Sequence, residues 1–244
     1  MISSNDPSWI AENLQKVLGQ IEHAARSVGR SPQGVRLVVV TKGHPLEVVR
    51  NAIQAGAKIL GENYPEEGVE KILALKEYAG LEWHMIGHVQ SRKARQVCEH
   101  YAWVHSVDSP KLAARLDRFA GELEIKLPVL LECNVSGEES KYGFAAWDEN
   151  RWDITASAIA PVLKSKYMEV KGLMTVAPFL ENPEGARSYF SRLRRLRDYL
   201  RDRFPDARWD ELSMGMSSDF QVAIQEGGTM VRIGQAILGP RPVI

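Results

Sequence analysis

The sequence predicts an α/β fold, a closed (β/α)8 barrel preceded by one additional helix, and three observations carry that expectation. Short apolar, β-branched runs alternate with amphipathic stretches along the chain, giving eight strands. The length of 244 residues suits the roughly 250 residues that such a barrel takes as one unit. An open doubly wound sheet would place a glycine-rich GxGxxG turn after its first strand, and this chain reads TKGHPLE there.

The elements follow in order. Between Asp6 and Arg30, the residues Ile10, Leu14, Val17, Leu18, Ile21, Ala25 and Val28 recur at three- and four-residue intervals, one apolar face of a leading helix. The Ser31-Pro32-Gln33-Gly34 break precedes LVVVT, a run of the kind buried on both faces of a parallel sheet. A helical stretch over 45–55 stops at Gly56, and the apolar run KILG follows at once. The alternation continues as helix 65–79, strand WHMIG, helix 91–99, strand WVHSV, helix 109–120 and strand LPVLLECNV. It ends with helix 148–160, strand MEVKGLMTV, helix 183–203, strand WDELSMG, helix 217–226 and strand TMVRIG. No linker interrupts it, so a single domain is expected over 1–244. Right-handed crossovers favour closure of eight such units into a TIM barrel.

Composition narrows the function. With 44% apolar and 25% charged residues the chain can bury a full core. Its 31 basic and 31 acidic residues cancel, which argues against the positive field of a nucleic-acid or anionic-membrane binder and for a small partner. The start, MISSNDPSWIAENL, carries no targeting pattern, and no run approaches the ~18 apolar residues of a membrane span, so a cytoplasmic protein is expected. Cys98 and Cys133 lack CxxC spacing and read as buried, reduced thiols. His84 and His88, four apart, are expected on one face of the third strand, but no third ligand accompanies them and no metal is expected. The run RSYFSRLRRLRDYLRDRF holds seven arginines, yet Tyr189, Leu193, Leu196 and Leu200 share one helical face, as in a solvated outer helix.

Chemistry in such a barrel gathers at the C-terminal ends of the strands. Those ends carry Lys42, Glu62 with Asn63, His84 with His88, Ser106 with Asp108, Asn134 with Ser136, Thr175, Ser213 with Met214, and Arg232. Lys42 closes the apolar strand VVVTK, where desolvation lowers the pKa of its amine and lets it attack a carbonyl to form a Schiff base. Equally, it snorkels to water or pairs with Glu62. The segment GMSSDF sets Gly215, Met216, Ser217 and Ser218 before a short helix, and the eighth strand ends in RIGQA. Barrel enzymes frequently hold phosphates on these two loops, here with Gly215 and Gly234 letting the backbone approach. Alternatively, Ser217 caps its helix and the glycines only turn the chain. A Schiff-base lysine facing a phosphate cradle matches pyridoxal 5'-phosphate (PLP), with its aldehyde at one end and phosphate at the other. Arg232 donates only. It either meets the pyridine nitrogen, keeping it unprotonated and weakening the ring as an electron sink, or forms an ion pair with Asp210 or Glu226.

The stretches VVVTK, GENYPEEGVEK, WHMIGHVQSRK, NVSGEESKYGF, GLMTVAP, LSMGMSSDF and MVRIGQAILGPR, in order, resemble those of the pyridoxal phosphate homeostasis protein family (YggS/PROSC), itself similar to the N-terminal barrel domain of alanine racemase. The resemblance implies that Lys42 holds PLP as an internal aldimine and that Asn63 lies near the ring. It also implies that Met214 lines the ring face, that Ser217 and the Gly215 and Gly234 loops meet the phosphate, and that Arg232 meets the pyridine nitrogen. It assigns no role to His44 or Ser218. The function implied is holding and delivering PLP as a carrier rather than an enzyme, with PLP-dependent apoenzymes as partners and a monomer or weak dimer as the state.

The alternative is a PLP-dependent amino-acid racemase, which needs a second acid/base opposite the lysine. Alanine racemases take a tyrosine for this from a further C-terminal domain, which is not expected here, leaving His84, Tyr64 or Tyr142 as proton sources. A sugar-phosphate aldolase using Lys42 is a third reading, told apart by its lack of colour. The loop SGEESKYG, from Ser136 to Gly143, reads either as a solvated loop or as a lid whose Lys141 exchanges cofactor.

Overall fold

The structure, a computed structural model, describes residues 7–241. Its strands are β1 (Arg36–Val40), β2 (Ile59–Glu62), β3 (Glu82–Met85), β4 (Trp103–Val107), β5 (Leu127–Asn134), β6 (Phe144–Ala145), β7 (Met168–Met174), β8 (Glu211–Ser213) and β9 (Met230–Ile233). All pairings are parallel; β1 lies between β2 and β9, and β4 pairs with β5. The ring β1-β2-β3-β4-β5-β7-β8-β9 therefore closes as an eight-stranded barrel, with β6 paired to β5 outside it.

The helices are α1 (Pro7–Ser27), α2 (Leu46–Gln54), α3 (Pro65–Ala74), α4 (Ala94–His100), α5 (Pro110–Glu122), α6 (Trp152–Ile159), α7 (Arg187–Arg203), α8 (Phe220–Gln225) and α9 (Gln235–Leu238). α1 packs on α2, α8 and α9, so the leading helix braces the elements flanking the barrel mouth. Its buried stripe is Ile10, Leu14, Val17, Ile21, Ala24 and Ala25; Leu18 and Val28, which the periodicity puts on that face, are exposed. In α7 the buried aromatic is Phe190 rather than Tyr189, and the outer arginines pair with Glu149, Glu184, Glu226 and Asp198.

Side chains alternate across each strand, and two cores result. Leu131, Leu173 and Val231 belong to the core between barrel and helices, while their neighbours Leu130, Met174 and Met230 form a separate cluster with Trp103 and Val176 in the lumen. Much of the remaining lumen is polar, since His84, His105, Ser213 and Arg232 are all buried.

Several expected boundaries shift for local reasons. The helix expected from 183 opens with a 3-10 turn at Pro183–Ala186, because the Asn182 side chain accepts from Glu184 N–H and holds the chain out of α geometry. α8 starts only at Phe220, because the Asp219 carboxylate accepts from Met216 N–H at 2.6 Å and makes 216–219 a turn. The shared face expected for His84 and His88 is overturned: β3 ends at Met85, so strand alternation does not reach His88. His84 points into the lumen, whereas His88 sits in the following loop, 2.9 Å from Asp108 and stacked on Tyr142. Among the described residues no helix is long and apolar enough to cross a membrane. Cys98 and Cys133 are free and buried, and burial pushes both thiols up, Cys98 to about 12.

Candidate functional site

A cavity of about 760 Å³ opens at the C-terminal ends of β1, β2, β7, β8 and β9. Of the residues singled out from sequence, Lys42, Asn63, Ser217, Arg232 and Gly234 line it; His44, Met216, Ser218, Phe179 and Arg241 join them. Met214 does not. It is fully buried in the outer core beside Gly228, because it faces away from the lumen, and Met216 stands on the cavity wall instead.

Two lysines converge on the end of β1, and the structure separates their roles. Lys71, reaching back from α3, donates to Thr41 O at 2.7 Å, Glu62 Oε1 at 2.8 Å and Glu67 Oε1 at 2.6 Å. Thr41 Oγ1 donates to the same Glu62 oxygen, and Gly43 N–H donates to Glu67. An ammonium with all three protons engaged is a fixed charge, not a nucleophile. Lys42 has no hydrogen bond or ion pair among the described residues. Its pKa is lowered, first by burial and then by the Arg241 and Arg232 charges, with Glu62 and Glu67 acting in the opposite direction. Glu62, the alternative partner for Lys42, is thus taken by Lys71; burial raises the Glu62 pKa while the Lys71 ammonium and the Thr41 hydroxyl hold it down.

Arg232 projects from β9 into the lumen and lines the cavity there. Its Nη1 donates to Ser213 Oγ at 2.6 Å and its Nη2 to Thr175 O at 2.8 Å. The expected competitors are engaged elsewhere: Glu226 with Arg187 and Arg194, Asp210 with Arg208. No carboxylate lies within ion-pair distance of this buried guanidinium among the described residues. Burial pulls its pKa to about 10, which leaves it charged at neutral pH.

The turn after β8 presents backbone donors. Asp219 and Phe220 N–H donate to Met216 O at 3.1 and 2.9 Å, and Met216 N–H is held by Asp219. The N–H groups of Ser217 and Ser218 make no such bond among the described residues. Ser217 Oγ accepts from Ala236 N–H at 3.3 Å, tying this turn to the start of α9. Both glycines are also required by packing, and of the two only Gly234 lines the cavity. Gly215 has φ +94° and a Cβ there would fall 2.6 Å from Ala223 Cβ, so the residue must be glycine for α8 to close on β8. At Gly234 a Cβ would stand 3.0 Å from Val40 O, and its amide remains on the cavity wall.

Across the mouth, Asn134 organises the 136–143 loop: its Oδ1 accepts from Gly137 N–H at 2.9 Å and its Nδ2 donates to Glu138 O at 2.9 Å. Lys141 pairs with Glu138 and lines a separate small cavity with Glu132, Tyr142 and Val176. Burial and the nearby Asp108 raise the Glu132 pKa to about 7, against the Arg232 charge.

Sequence reasoning missed Lys71 and Glu67, whose i, i+4 spacing reads as an ordinary surface pair on a helix. It gave no role to His44, which is buried beside the lysines with a pKa lowered first by burial and then by Lys71. Arg241, packed over Gly43, carries no sequence signal beyond its place in the GPR tail.

A profile described as "Alanine racemase, N-terminal domain" matches residues 13–242. Proteins named pyridoxal phosphate homeostasis protein are similar over almost the whole chain: 38% identity in Vibrio alginolyticus, covering 96% of this chain and 98% of that one, and 39% in Escherichia coli K12, covering 95% and 97%. Among solved structures, PipY of Synechococcus elongatus PCC7942 with PLP bound superposes with TM-score 0.81 at 34% identity, covering 94% of this chain and all of that one. Alanine racemase of Clostridium difficile 630 shares the fold alone, with TM-score 0.67 at 17% identity over 58% of its length.

Proposed function

This chain belongs to the pyridoxal phosphate homeostasis protein family, and from that premise we propose that it binds PLP through Lys42 and holds it for delivery to PLP-dependent apoenzymes. One observation carries the reading. Of two lysines at the end of β1, Lys71 is locked by three hydrogen bonds, while Lys42 stands unpaired among the described residues on the cavity wall with its pKa lowered.

The residues present fit the group. A buried guanidinium with no carboxylate partner among the described residues and the N–H groups of Ser217 and Ser218 make the cavity wall electropositive, as an anionic phosphate requires. When bound, PLP supplies an aldehyde that an unprotonated primary amine can attack. Lys42 is the amine that would hold it; Ser217, Ser218 and the Gly234 amide would bind the phosphate. Asn63 would flank the ring, and Arg232, able only to donate, would meet the ring nitrogen and leave it unprotonated. That favours storage over carbanion chemistry. Action in the cytoplasm accords with the two reduced, buried thiols.

The test is borohydride reduction of the PLP-loaded full chain followed by peptide mapping. The expected adduct is on the Lys42 peptide, and Lys42→Ala abolishes both adduct and visible absorption. An adduct confined to another lysine overturns the reading. Substantial racemisation of amino acids by the loaded protein, lost in Lys42→Ala, would replace the carrier with a racemase.

A further inference from the structure

The lumen contains a continuous row of buried polar side chains that the binding of PLP does not itself explain. From the cavity downward, Arg232 Nη1 lies 2.6 Å from Ser213 Oγ, Ser213 Oγ lies 2.9 Å from His105 Nδ1, and His105 Nε2 lies 3.0 Å from His84 Nδ1. His84 Nε2 lies 3.3 Å from Glu82 Oε2, at the opposite end of the barrel, where the Glu82 side chain is half exposed. Barrel interiors are ordinarily filled by branched apolar residues, so four consecutive polar contacts there call for a purpose.

The chemistry of the two ends, with neutral imidazoles between them, fixes the direction of the row. Arg232 can only donate, so Ser213 Oγ accepts from it and the serine proton is free to point to His105 Nδ1. At the far end an ionised Glu82 can only accept, so His84 Nε2 carries a proton. His84 Nδ1 is then a lone pair, and His105 Nε2 must donate to it. With both imidazoles neutral, the single arrangement that satisfies every contact is Arg232 to Ser213 to His105 to His84 to Glu82, each ring protonated on Nε2. In the reverse arrangement the His84 Nε2 lone pair would face the Glu82 carboxylate. Burial lowers the pKa of His84 and that of His105, and the His84 contact lowers that of Glu82, which agrees with neutral rings and an ionised carboxylate.

We propose that His105 and His84 are positioning residues for Arg232: their one-way hydrogen-bond chain turns the Ser213 lone pair toward the guanidinium and so fixes which Arg232 donors face the cavity. This rests on the reading that Arg232 meets the PLP ring nitrogen, and the test separates the two. Nitrogen-15 NMR of the full chain, with no PLP present, is expected to show His105 and His84 as neutral Nε2–H tautomers; an Nδ1–H tautomer at His105 overturns the chain.

With PLP, His105→Leu is expected to weaken retention roughly tenfold, the size of one hydrogen bond to a charged group, and to shift the absorption band of the bound cofactor. His105→Asn, which restores an acceptor for Ser213, recovers most of both. In an Arg232→Gln background the further effect of His105→Leu vanishes, because the two act through one contact. Equal losses in both backgrounds overturn the proposal. Failure of the unaltered protein to retain PLP would sink the cofactor reading, and the tautomers would still decide this one.

Discussion

At the scale of single residues, the site depends on which charges are held and which are free. Lys71 and Glu62 are almost wholly buried and lie 2.8 Å apart, and a buried pair is strongly destabilised when one member is removed because the other is left uncompensated. Lys71→Met is therefore expected to lose about 3 kcal/mol or more of unfolding free energy in urea, and Lys71→Met combined with Glu62→Leu to recover much of it. An unchanged denaturation midpoint in the single variant would refute the claim that this ammonium anchors the end of β1. The sequence marks Lys42 by its place after VVVT, but it cannot show that Lys71 engages Glu62 and frees Lys42, since the two lysines are 29 positions apart.

At the scale of elements, the leading helix links stability to the site. α1 buries Leu14 to 2% exposure and packs on α8 and α9, while Asn13 Nδ2 donates to Ile237 O at 3.4 Å. Leu14→Ala leaves a cavity in the buried face of α1, the helix that packs on α8 and α9, and a loss of about 3 kcal/mol is expected, within the range for buried leucines. The same variant should retain PLP more weakly. If it loses stability yet binds unaltered, α1 serves the barrel alone.

For the whole molecule, buried titratable groups set opposing pH slopes. The pKa of Glu132 is raised from 4.5 to about 7, so its contribution is fully present below pH 4.5 and is lost as pH rises through about 7. His84 and His105 are lowered from 6.5; their contribution is present above pH 6.5 and is lost as pH falls through their folded values. Glu132→Gln, a neutral mimic of the protonated acid, is expected to raise the thermal midpoint of the unloaded protein above about pH 7 and to leave it unchanged near pH 4.5. A uniform shift across that window would mean that ionisation of Glu132 is not the cause.

The sequence by itself determined the eightfold alternation, the strand carrying Lys42 and the turns after the last two strands, because these are local patterns of periodicity, β-branching and turn residues. The outward turn of Met214, the locking of Lys71 and the polar row through the lumen were decided only by the tertiary structure. Each depends on which strand lies beside which and which face of it is turned inward, and one residue of register exchanges the lumen for the outer core.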